Sequence, residues 1–277
     1  MDRARKWGRS FARYAILTFF LLVVLLPILG IFLSAFKTNA EVIRGPFALP
    51  ETWRVENFAN AWTAGRFSAY FRSSVIVVLP VVVASVLLST LTGYAFGTLL
   101  FPGQKILFAA MLIGFMIPFE AVVIPLYHML RRLGLTDSYW ALILPQIGLS
   151  VSFGTFWMAS FFRSAPQELI DAATIDGASR WQALWQVLWP LARPAVLTLV
   201  VLLFMWTWNE FLLALVLVQD ENLRTLPVGL AFFQGRFTAD VPRLAAGSLI
   251  VAGPILVVYV FFQRHFIRGM LGGSLKG

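Results

Sequence analysis

Glu168–Leu191 reads ELIDAATIDGASRWQALWQVLWPL. The stretch is charged and helix-patterned, and it lies between two long apolar runs. Within the loop 163–194, Ser164-Ala-Pro-Gln167 fits a capping box, with Pro166 tolerated in the first turn. The spacing predicts a helix from there through about Ile175. Asp176-Gly177 is a turn dipeptide that ends it. Ser179-Arg-Trp-Gln182 is a second capping box, and the helix it starts is expected to run through Trp189 and stop at Pro190. Leu169, Ala172 and Ala173 fall on one face of the first helix, a slim ridge suited to a cleft. Trp181, Trp185 and Trp189 recur four apart in the second helix, as in a helix lying at a bilayer surface. An ordinary interfacial helix with no partner fits that pattern as well.

Outward from the loop, the chain is apolar enough to need lipid. Of 277 residues, 59% are hydrophobic and 13% charged, about half the charge of an ordinary soluble domain. Six apolar runs reach the roughly 20 residues that a membrane helix needs. They cover about 14–36, 75–101, 106–130, 138–162, 195–218 and 244–263. The expected fold class is therefore an all-α integral membrane protein. It divides into a basic N-terminus (1–13), a six-span domain (14–264) that includes the 163–194 loop, and a C-terminal tail (265–277). The first apolar run is too long for a cleaved signal and reads as an anchor. Arg3, Arg5, Lys6, Arg9 and Arg13 precede it and place the N-terminus in the cytoplasm. An even number of spans returns the C-terminus to the same side. Lys and Arg are otherwise spread almost evenly over the two sides, so the termini carry the orientation.

Several chemistries are excluded. The chain has no cysteine and only two histidines, His128 and His265, which leaves no thiolate site and a poor prospect of a transition-metal centre. The net charge of +9 fits basic flanks of membrane spans better than nucleic-acid binding, because no basic patch is interleaved with exposed aromatics. No nucleophile–base constellation points to an enzyme. Nor does any G-x-x-x-x-G-K-[ST] phosphate loop occur, so ATP chemistry by that route belongs to another chain. Prolines recur inside the apolar runs, and Pro118 and Pro125 flank Glu120 as in a bent, pore-lining helix. Gly93 and Gly97 form a small-xxx-small pair suited to close helix packing.

Two acids interrupt apolar runs. Glu120 and Glu210 lie 14 and 15 residues into spans three and five, about 20 Å from the cytoplasmic end at 1.5 Å per residue. Ionisable groups at such depth are functional candidates by default. With Trp208 and Asn209, and Trp206 nearby, they suit a polar and aromatic translocation path or gate. The competing reading is glue between helices or subunits.

The stretch DAATIDGASRWQALWQVLWP resembles the "EAA" loop of ATP-binding-cassette importer permeases. Asp171, Ala172, Ala173, Gly177 and Pro190 match that pattern, with Asp171 in place of the usual glutamate. IPLYHMLRRLGLTDSYWALILP (124–145), WNEFLLAL (208–215), TLPVGL (225–230) and FIRGMLGGSLKG (266–277) resemble carbohydrate-importer permeases, closest to the smaller six-span subunit of the maltose type. The resemblance implies a cytoplasmic coupling helix over Glu168–Asp176 with Gly177 as its corner, docked in a groove of a dimeric cytoplasmic ATPase. It implies a second permease subunit, an external solute-binding protein, and ATP and Mg²⁺ held by the ATPase rather than by this chain. The 227–243 segment, with Gln234, Arg236 and Phe237, resembles a loop that contacts the binding protein. The tail 272–277 resembles a segment that reaches toward the ATPase. The cargo implied is a sugar or a related polyhydroxylated solute. A proton-coupled carrier using Glu120 and Glu210 is the alternative, and it leaves the loop without a purpose.

Overall fold

The computed structural model describes residues 2–235 and 239–272, with side chains over 13–235 and 239–264. In chain order the helices are α1 (Asp2–Ser34), α2 (Asn39–Arg44), α3 (Glu56–Ala64), α4 (Phe67–Thr98), α5 (Gln104–Met116), α6 (Phe119–Arg132) and α7 (Tyr139–Ser164). They continue with α8 (Gln167–Ile175), α9 (Arg180–Gln182), a π-helical segment (Ala183–Leu188), α10 (Trp189–Trp208), α11 (Leu212–Leu217), α12 (Leu226–Gly229) and α13 (Val241–Gly272). Among the described residues the only bridge pairing is Gln234 with Ala239. Five helices are long and apolar enough to cross a membrane, and the bent pair α5–α6 would make a sixth. The all-α membrane architecture is thus the one the composition demands.

The described chain falls into two compact units. In the first, Met1–Phe67 with Gly229–Gly253, α1 presents its apolar side chains outward along most of its length, as lipid-facing helices do. The segment that follows is held by polar groups. The buried Lys37 donates from Nζ to the carbonyls of Gly45 (2.9 Å) and Pro46 (3.1 Å). Thr38 and Glu41 form a complete capping box at α2. The Thr38 backbone and hydroxyl and the Glu51 backbone all donate to the Glu41 carboxylate, which pulls its pKa down to about 2. Hydrogen bonds that favour the ionised form have this effect.

The second unit, Ser68–Val228 with Pro254–Gly277, contains the loop and both interrupting acids. Helices α4 and α7 approach closely. A Cβ on Gly93 would lie 2.4 Å from Met158 Cβ, and one on Gly154 would lie 2.1 Å from Ser89 Oγ. These contacts are what small residues permit between membrane helices. Helices α6, α7 and α11 close over a core that includes Val123, Leu130, Leu142, Leu213 and Leu217.

Three expectations need correction. The run 106–130 is not one straight helix. Ile117 is extended (φ −67°, ψ 125°) because it precedes Pro118, a position that disfavours helix, and α5 and α6 meet at 97°. With 13 residues, α5 rises only about 20 Å, short of the roughly 30 Å of hydrocarbon. The run 195–218 is also broken, at 209–211, between α10 and α11. Finally, the loop does not run to 194. The helix begun by the Ser179 box continues as α9, the π-helical segment and α10, so 180–208 is one 29-residue span candidate. Pro190 follows directly on the π-helical segment and Pro194 lies inside α10, so the helix runs on through both, as membrane helices tolerate. The tryptophan repeat is therefore continuous with a span candidate rather than part of a separate helix.

A coupling corner and a cavity at two helix breaks

Helix α8 ends by a mechanism its sequence dictates. Gly177 adopts φ +80°, the left-handed region open to glycine. Its N–H donates to Thr174 O (3.1 Å), and the Ala178 N–H donates to Ala173 O (2.9 Å). This is the paired bonding of a Schellman C-cap. Two residues on, the Gln182 N–H donates to Ser179 Oγ (3.3 Å) and the Ser179 N–H to Gln182 Oε1 (2.8 Å), the reciprocal box expected there. The first box does not form. Ser164 ends α7 and its hydroxyl donates back to Phe161 O (2.8 Å), while Pro166 begins α8 without a side-chain cap.

On α8, the alanines divide. Ala173 is buried and Ala172 is exposed. The ridge turned outward is Leu169, Ala172 and Ile175, the last 86% exposed. Ile175 extends the 3.6-residue periodicity of Leu169 and Ala172 by one turn, and that signal was available in the sequence. Glu168, Asp171 and Asp176 are also exposed. Asp171 accepts a hydrogen bond from Gln167 Nε2 (3.1 Å), one turn back on α8 itself. Helix α8 packs on the π-helical segment. There Trp181, Trp185 and Trp189 make successive ring contacts at 5.5 and 4.9 Å. Tyr94 of α4 donates to Arg180 O (3.2 Å), tying the start of this rod to the helix bundle. Pro190 is exposed in the first turn of α10.

At the other end of the rod, the second unit contains a cavity of about 590 Å³. It opens at the two helix breaks. Glu120 in the first turn of α6 and Glu210 just beyond α10 both line it, together with Gln146, Ser150, Trp206 and Thr207. The Glu210 carboxylate accepts the N–H groups of Leu213 (2.8 Å) and Ala214 (3.3 Å), capping α11. Among the described residues, Glu120 has no hydrogen-bond or ion-pair partner. The structure thus brings together the two acids that the sequence singled out.

It does not bring the other two path candidates with them. Trp208 is 2% exposed and packs on Phe71 and Phe204. Asn209 ends α10, its Nδ2 donating to Met205 O (2.8 Å). Two residues along a helix point about 200° apart, so Trp206 rather than Trp208 faces the cavity. Gln146 and Ser150 lie one turn apart on α7, and this i, i+4 polar pair inside an apolar run was a usable signal. Of the expected binding-protein contacts, Gln234 bridges to Ala239, whereas Arg236 and Phe237 lie outside the described residues, as does the tail beyond 272. Among the described residues, no group of three or more His, Asp and Glu is placed to hold a metal.

A membrane chain of broken helices, with a capped surface helix leading into a span, has the build of an importer permease. The chain belongs to the family described as "Binding-protein-dependent transport system inner membrane component", whose pattern matches residues 89–272. It is 34% identical to the diacetylchitobiose uptake system permease protein NgcG of Streptomyces coelicolor, over 95% of this chain and 88% of that one. It is likewise 34% identical to the trehalose transport system permease protein SugB of Mycobacterium tuberculosis, over 91% and 93% of the two chains. Its fold matches a solved bacterial ABC transporter involved in import of the acidic polysaccharide alginate, with a TM-score of 0.78, 23% identity, and 93% and 96% coverage. The proton-coupled alternative is left without support.

Proposed function

We propose that this chain is one permease half of an ATP-driven importer that carries a sugar or related polyhydroxylated solute across a bacterial cytoplasmic membrane. An external binding protein delivers the solute, with Gln234, Arg236 and Phe237 on the segment that meets it. A second permease completes the pore. Both termini face the cytoplasm, and a dimeric cytoplasmic ATPase supplies the energy with its own ATP and Mg²⁺. The relatives that transport diacetylchitobiose and trehalose support the solute class.

One observation carries the coupling role of the loop. A continuous helix, Arg180–Trp208, starts three residues after the Gly177 corner and ends at the cavity that holds Glu210. Over 29 residues it spans about 40 Å. Helix α8 docks into the ATPase through Leu169, Ala172 and Ile175. Glu168, Asp171 and Asp176 stay on its solvated flanks, and the buried Ala173 holds it to the permease. Movement of α8 then reaches the cavity through the rod, because a capped corner and a braced first turn transmit displacement rather than absorb it. Glu120 and Glu210 form the gate at the far end.

Ala172→Arg tests this assignment by placing a long cation on the outward ridge. The variant is expected to insert and to join the second permease, but to lose co-purification with the ATPase and substrate-stimulated ATP hydrolysis. Undiminished stimulation would refute the docking role.

A further inference from the structure

We infer that the cavity at the two helix breaks is a subsite for one neutral sugar ring, and that its chemistry turns away acidic sugars. The inference rests on the importer reading above and narrows its substrate class.

The polar groups are unequal in what they offer. Gln146 spends Nε2 on Leu142 O (3.0 Å), which leaves its amide oxygen, an acceptor, for a ligand. Glu120 is an uncommitted acceptor, and each oxygen of Glu210 has received one backbone N–H and can accept again. Ser150 and Thr207 add hydroxyls of either sense. The cavity is therefore rich in acceptors and needs a ligand rich in donors, which is what the hydroxyls of a sugar supply. Among the described residues, no Lys, Arg or His lines it. A uronate or a phosphorylated sugar would bring its anion against two acidic side chains with no cation among the lining residues to receive it, and like charges so placed repel.

The apolar side of a sugar is provided for as well. Trp206 is 48% exposed and stands edge-to-face against Phe153 at 4.7 Å. That contact holds the indole upright and leaves ring surface for the C–H face of a pyranose or furanose. At about 590 Å³ the cavity lies within the range of small-molecule sites.

The test uses the complete permease–ATPase complex in lipid nanodiscs, without the binding protein, and saturation-transfer NMR, which registers weak ligands. The probes are trehalose and arabinotriose as neutral sugars, and digalacturonate and an alginate trisaccharide as acidic ones. Transfer to a neutral probe is expected, with about fivefold less to the acidic ones. Trp206→Ala is expected to cut the neutral signal about fivefold. Glu120→Gln is expected to admit the acidic probes, a gain that misfolding cannot produce. Equal transfer to acidic probes in the unaltered complex overturns the selectivity. A neutral signal unmoved by Trp206→Ala, with no acidic signal gained in Glu120→Gln, overturns the subsite. Uptake of the same sugars by intact cells separates the two readings. Uptake of a probe without any transfer sinks the subsite alone, whereas no uptake of any sugar sinks the sugar reading and the subsite with it.

Discussion

Substitution of Gly177 separates backbone strain from bulk at the coupling corner. The residue sits at φ +80°, and a Cβ built on it meets no atom within 4 Å. In the subunit, then, a side chain at 177 meets no steric barrier, and the cost of any substitution lies in the backbone. An L-residue in the left-handed helical region costs about 1–2 kcal/mol, and a β-branched one is a more severe outlier. Asparagine tolerates the region at a fraction of that. One to two kcal/mol changes the ratio of formed to unwound corner by about 5- to 30-fold. The expected order of substrate-stimulated ATP hydrolysis is therefore Gly, then Asn, then Ala, then Val. Asn is much larger than Ala yet is expected to work better. The assay is ATPase stimulation by the loaded binding protein in proteoliposomes, normalised to permease inserted. If Ala outperforms Asn, bulk in the docked groove governs and the argument from φ fails. If Val equals Gly, the corner is not part of the coupling path.

Other expectations follow from individual contacts. Glu210→Ala removes the acceptor for two N–H groups and should lower stability by about 0.5–2 kcal/mol, with Glu210→Gln closer to the native value, read as thermal unfolding in detergent. Gly93→Ala should destabilise by about 1–3 kcal/mol, because its methyl would press on Met158, whereas Gly148→Ala, with open space around it, should be near neutral or better. The Glu41 pKa falls from an ordinary 4.5 to about 2 on folding, so its contribution is full above pH 4.5 and lost as the pH drops toward 2. The difference in melting temperature between the native chain and Glu41→Gln should shrink across that window, and a constant difference would show that Glu41 does not titrate with folding.

The sequence made the spans visible because lipid leaves little choice of solution, and the corner visible because Asp-Gly before Ser-Arg-Trp-Gln has few competing structures. It hid the continuity of the rod. Pro190 and Pro194 are strong stop signals in isolation, yet the helix runs on through both, Pro190 directly after a π-helical segment of the kind that re-satisfies freed backbone groups in membrane helices. Nothing in ALWQVL announces a π-helical turn; the packing of α8 and the tryptophan ladder against it settles there what local propensity leaves undetermined. The choice between Trp206 and Trp208 was equally hidden, since both belong to an apolar run and only the orientation of α10 says which one faces the cavity.

The two interrupting acids show how a helix break hides inside an apolar run. Read along the sequence, Glu120 and Glu210 look like charges tolerated within spans. In the structure Glu120 stands in the first turn of α6 and Glu210 two residues before the start of α11, each just after the preceding helix has stopped. An acid at membrane depth is costly where every backbone N–H is already bonded within a helix. At a break, the first N–H groups of the next helix are free and its dipole presents a positive end. Glu210 takes two of those N–H groups directly. The acid and the break therefore stabilise one another, and a glutamate that follows a proline or an Asn inside an apolar run is better read as the end of one helix than as an interruption of it. That arrangement also leaves Glu120 without a partner, facing a cavity, which is where a transporter needs a group that can still bind.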